Sequence, residues 1–125
     1  MKKNLVIATS NFFLKEGLIF SLEKNSTFHF QYTVFKHGSD IIEQIIGLKL
    51  DLFILDIMMD EINNYKILEF LKKRNIDFKI LVLAPNNPII IRKILEFIDL
   101  ISLILGHERY IIERLISMRT SNIFL

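Results

Sequence analysis

The chain has 125 residues, 51% hydrophobic and 24% charged, with a formal net charge of +2 and no Cys or Trp. That length suits one domain with one core, and the apolar content excludes an unfolded chain. A balance of 16 basic to 14 acidic residues excludes the strong cationic field of a dedicated nucleic-acid-binding domain. Without Cys there are no disulfides, thiolate nucleophiles or thiolate metal ligands. No apolar run approaches the roughly 18 residues that a membrane-spanning helix needs. The apolar stretch at the N-terminus is too short for a signal peptide. The composition therefore points to a chain that stays out of the membrane, in the cytoplasm.

Taken in order, two apolar patterns alternate. Residues 5–8 (LVIA) form a short run of the buried-strand type, ended by Thr9, Ser10 and Asn11. Leu14, Leu18 and Leu22 then recur every four residues, as one face of a helix requires, with Ser10 as the expected N-cap. Residues 28–35 (FHFQYTVF) read as an edge strand on which His29 faces solvent. Ser39 and Asp40 are expected to cap a second helix bearing Ile41, Ile42, Ile45, Ile46 and Leu48. Residues 51–56 (DLFILD) predict a third strand, and Ile62, Tyr65, Leu68 and Leu71 a third helix with a basic end.

Residues 79–84 (KILVLA) predict a fourth strand, stopped by Pro85. Asn87 and Pro88 open a helix running to about residue 98, with Pro88 where a missing N–H costs nothing. Residues 100–105 (LISLIL) predict a fifth strand and 107–118 a fifth helix, before a polar tail at 120–125. Five strands alternating strictly with five helices imply an α/β, flavodoxin-like (βα)5 doubly wound parallel sheet in the order 2-1-3-4-5.

In such a sheet, chemistry gathers at the carboxyl ends of the strands. The positions to watch are Thr9, Ser10, Asn11, Asp56, Ala84 and Gly106. The stretch 51–59 (DLFILDIMM) resembles the phosphoacceptor strand of bacterial response-regulator receiver domains. Lys15-Glu16-Gly17-Leu18, residues 79–83 and Asn86-Asn87-Pro88 extend the likeness over essentially the whole chain. Within that family the chain is similar to the NarL/LuxR-type transcription regulators, the group that includes the enteric capsule-synthesis regulator.

The resemblance implies Asp56 as the acceptor position, in a vestigial form. Receivers carry an acidic pair at the end of strand 1 to hold Mg²⁺, where this chain has Thr9 and Ser10. They carry a Ser or Thr after strand 4 and a Lys after strand 5, where this chain has Ala84 and Gly106. Two hydroxyls do not replace the carboxylate oxygens that Mg²⁺ prefers. Phosphoryl transfer depends on such positioned charges. No catalytic residue, metal or other cofactor is therefore expected. Asp60 and Glu61 are read as acids favourable to a helix dipole, and the three His residues have no ligand spacing.

The excess of apolar residues points to an interface instead. Phe12, Phe13, Ile19 and Phe20 lie off the core face of helix 1, and Ile90 belongs to a helix apolar nearly all round. Helix 5 offers Arg109, Tyr110, Arg114 and Leu115, residue types that suit an interface. The expected unit is a receiver-like domain over 1–119, with 120–125 starting a linker to a helix-turn-helix domain outside this chain. It would act without phosphorylation, as a homodimer or a heterodimer with a related regulator, and reach DNA only through that other domain. The alternatives are a working phosphoacceptor at Asp56, or a small-ligand sensor with Thr9, Ser10 and Asn11 at the floor of its cleft.

Overall fold

The computed structural model describes residues 2–25, 29–59, 64–97, 99 and 102–105, the last four by their backbone. The elements are β1 (Lys2–Ala8), α1 (Phe12–Asn25), β2 (His29–Phe35), α2 (Gly38–Gln44), β3 (Leu52–Asp56), α3 (Asn64–Lys72), β4 (Lys79–Ala84), α4 (Pro88–Ile94) and β5 (Ser102–Leu105). Single 3-10 turns, Ile45–Gly47 and Leu95–Phe97, extend α2 and α4. All strand pairs are parallel, and the sheet order is β2-β1-β3-β4-β5, as the alternation of patterns predicts. The helix expected over 107–118 and the tail at 120–125 lie outside the described residues. So do Asp60, Glu61, Ile62, Gly106, Arg109, Tyr110, Arg114 and Leu115.

Side chains alternate across a strand, so the central strands feed two cores. Val6, Ala8, Phe53, Leu55, Ile80 and Val82 pack with Ile41 and Ile45 of the α2 segment, Ile67, Leu68 and Leu71 of α3, and Ile94 and Phe97 of the α4 segment. Leu5, Ile7, Leu52, Ile54, Leu81 and Leu83 pack on Leu14, Leu18 and Leu22 of α1. Leu18 is fully buried, and burying a leucine of this kind stabilises by roughly 1.5–3 kcal/mol. Because β1, β3 and β4 are covered on both faces, they read as continuous apolar runs. β2 is an edge strand, and His29 on it is exposed as expected.

The local boundaries bring corrections. β1 starts at Lys2 rather than residue 5, because pairing with β2 needs only backbone. The cap of α1 is Asn11, not Ser10: the Leu14 N–H donates to Asn11 Oδ1 at 3.0 Å. α2 starts at Gly38 with His37 in the capping position, which places Ser39 and Asp40 inside its first turn. The expected cap of α4 holds, with Asn87 Oδ1 accepting from Ile89 N–H at 2.9 Å and Ile90 N–H at 3.3 Å. α4 itself ends at Ile94.

Candidate functional site: the carboxyl ends of β1 and β3

Asp56 closes β3, next to the end of β1. Thr9, one residue past β1, continues the ladder by donating its N–H to the Phe35 carbonyl at 3.0 Å. That pairing holds its side chain inside, 3% exposed. The Thr9 hydroxyl donates to Asp56 Oδ2 at 2.7 Å and accepts from the Asn11 N–H at 3.1 Å. The other carboxylate oxygen, Oδ1, accepts from the Met58 N–H at 2.9 Å. Both oxygens of Asp56 are thus engaged by the protein itself. A bond of 2.7 Å from a hydroxyl to a carboxylate is of the charge-assisted kind.

The loop beyond Asp56 is held separately. Met59 N–H donates to the Asp56 carbonyl and Ile57 N–H to the Leu83 carbonyl, each at 3.0 Å. Asn64, buried at the start of α3, donates its side-chain amide to the carbonyls of Ile57 and Met59. At the opposite end of the same strand pair, the Asn4 N–H donates to Asp51 Oδ2 at 2.8 Å.

Of the expected positions, Thr9 meets Asp56. Ser10 is exposed and makes no side-chain hydrogen bond among the described residues. Ala84 follows Leu83, the β4 partner of Asp56, at the same end of the sheet, where its methyl is buried in the α2–α4 core. Magnesium wants several carboxylate or water oxygens in an octahedron. Here one carboxylate faces a hydroxyl that donates to it, and among the described residues no group of three metal-ligating side chains exists. These residues do not fit the ion. Open grooves of about 290 and 450 Å³ lie at the amino end of the sheet, lined by Asn4, Leu48, Lys49 and Leu50 among others, far from Asp56 along the strands.

The surface candidates divide. Phe13 and Phe20 are 76% and 66% exposed and stand with exposed Phe12 on α1. Lys15 Nζ lies 4.7 Å from the Phe12 ring centre and Lys24 Nζ 5.5 Å from that of Phe20, so both cations rest on aromatic faces. Ile19 and Ile90 are partly buried and pack against the two cores. Ile89, beside Ile90, is the exposed one. On β2, burial pushes the Tyr32 phenol up to about 12, with Glu23 adding to the effect.

Sequence patterns did not disclose Asn11 as the cap or Asn64 as the loop clamp. Each acts through a hydrogen bond, which leaves no apolar period. An Asx residue beside a helix start was the one available cue.

No family model matches the chain, and no curated protein matches it. Solved structures do. The isolated receiver domain of RcsB from Salmonella enterica serovar Typhimurium, in the presence of phosphomimetic BeF3-, is similar with a TM-score of 0.74 at 20% identity, covering 97% of this chain and 91% of that one. The receiver domain of the response regulator NarL from Mycobacterium tuberculosis gives 0.72 at 14% identity, over 97% and 98%. A structure of two RcsB dimers bound to two parallel DNAs gives 0.68 at 22% identity, over 84% of this chain and 53% of that one. The fold is that of a receiver domain, in agreement with the expectation drawn from the strand 3 motif.

Proposed function

We propose that this chain is the receiver-like regulatory domain of a cytoplasmic bacterial transcription regulator of the NarL/LuxR type, working as a dimerisation module independent of phosphorylation. The observation that supports the reading is the setting of the Asp56 carboxylate, which accepts from the Thr9 hydroxyl on one oxygen and the Met58 amide on the other, with a hydroxyl where an ion-binding acid would stand. An incoming phosphoryl group would bring negative charge to a carboxylate whose neighbour is a hydroxyl, not a second acid able to hold a divalent ion. Positioned charge is what lowers the barrier for such a transfer.

The partner is a second copy of the chain or a related regulator, and the contact runs through the aromatic face of α1. Phe13 and Phe20 are too exposed to serve the core. Arg109, Tyr110, Arg114 and Leu115 are further contact candidates by residue type alone. DNA is reached through a separate domain of the protein; among the structural matches, RcsB dimers are bound to DNA. Dimer formation then sets the spacing of two DNA-binding units.

Incubation with Mg²⁺ and acetyl phosphate, followed by intact mass measurement, tests the first half. No adduct is expected. An acyl phosphate that disappears in Asp56→Asn would restore the phosphoacceptor alternative. Light scattering tests the second half: Phe13→Glu with Phe20→Glu should convert a dimer to a monomer, and an unchanged mass would refute the α1 face.

A further inference from the structure

We infer that Thr9 is a positioning residue that couples the charge on Asp56 to the start of α1. Two hydrogen bonds run in series through the Thr9 hydroxyl. The Asn11 N–H donates to Thr9 Oγ1 at 3.1 Å, and the Thr9 hydroxyl donates to Asp56 Oδ2 at 2.7 Å. Asn11 in turn caps α1, accepting from Leu14 N–H on its side chain at 3.0 Å and from Lys15 N–H on its carbonyl at 3.1 Å.

A hydroxyl has one proton. Asp56 Oδ2 accepts the hydrogen bond made by that proton, and this fixes the orientation in which Thr9 presents a lone pair to Asn11. Bonds in such a chain polarise one another, most strongly when the chain ends on a charge. Removing the acceptor frees the hydroxyl to rotate, and the Asn11 N–H then loses a defined partner. Phe12 and Phe13 follow Asn11 directly, so the aromatic end of α1 is where a change at Asp56 arrives. Asp56 lies 47 residues from Thr9 in sequence and has no hydrogen bond to Asn11, so a purely local role for Thr9 would leave Asp56 without influence there.

The importance of this relay for assembly rests on the proposed dimer, whereas the relay itself does not. Amide hydrogen exchange read by NMR on the full chain tests it, in the wild type, Asp56→Ala, Thr9→Val, Thr9→Ser and the Thr9→Val/Asp56→Ala double variant. Asp56→Ala should speed exchange at the Asn11 and Leu14 amides roughly tenfold, the effect of losing one ordinary hydrogen bond. Thr9→Val should do the same, Thr9→Ser should stay near the wild type, and Asp56→Ala should add nothing in the Thr9→Val background. Unchanged exchange at those amides in Asp56→Ala would overturn the inference, as would an equal acceleration with Thr9 already replaced. If Thr9→Val does not fold, Asp56→Ala and Thr9→Ser still decide the matter. Light scattering on the same samples reports on the dimer separately, so a monomeric protein with a working relay would remove the assembly reading alone.

Discussion

Replacing Thr9 by Asp is the most demanding test of the crevice. The hydroxyl that donates to Asp56 at 2.7 Å becomes a second carboxylate in a position 3% exposed. Two unit charges about 4 Å apart repel by about 4 kcal/mol at an effective dielectric constant of about 20. Partial exposure of Asp56 and ordinary salt reduce that to about 2 kcal/mol. Loss of the charge-assisted hydrogen bond adds about 1.5 kcal/mol, while an acid near the start of α1 returns less than about 1 kcal/mol. The balance is a destabilisation of about 3 kcal/mol, and for a chain of this size each kcal/mol moves Tm by about 4 °C.

Calorimetry in EDTA should therefore show Tm about 12 °C below the wild type. Like-charge repulsion raises a carboxyl pKa in the folded variant above its unfolded value. The unfolded chain then binds fewer protons at neutral pH, so the deficit should shrink as pH falls through the raised pKa. Magnesium at millimolar levels should recover part of the loss, because an acidic pair supplies what Thr9 denies the ion. A variant as stable as the wild type in EDTA, with no response to pH or Mg²⁺, would refute the placement of Thr9 against Asp56.

Other consequences are simpler to measure. Leu18→Ala removes a fully buried side chain from the α1 core, and urea denaturation should show a loss of about 3 kcal/mol. Asn87→Ala deletes the cap of α4 and should cost about 1 kcal/mol, with Asn87→Asp retaining most of it. Burial pushes the Tyr32 phenol up to about 12 in the folded chain, whereas the unfolded chain loses its proton near 10. Its contribution to stability is whole below pH 10 and should fall as pH rises from there through 12, a slope that Tyr32→Phe removes.

Much of the architecture is legible because burial on both faces writes a continuous apolar run into β3 and β4, and a four-residue leucine period into α1. Boundaries were less legible. Ser10 and Asn11 are both good cap residue types, and local sequence does not choose between them; Asn11 is the one that accepts from the Leu14 N–H. The apolar surplus on α1 and α4 was visible, but its direction was not. Ile19 and Ile90 lie partly against the cores, whereas Phe20 and Ile89 are exposed, a difference that an apolar surplus in the sequence does not resolve. The family pattern presents Thr9 as a missing acid, whereas the structure shows what the hydroxyl does in its place.

The two clasps at either end of β1 and β3 have a consequence for how the strands find their alignment. Both faces of this sheet are oily, so sliding one strand by a single residue exchanges one apolar face for another and meets little resistance from polarity, unlike a sheet with a wet side. Asn4 with Asp51 and Thr9 with Asp56 share one offset of 47, the same as Leu5 with Leu52 in the ladder. They act like bolts at the two ends of a hinge plate. Any slip would break both at once and strand two carboxylates, so Asp56 has a reason to persist that owes nothing to phosphate.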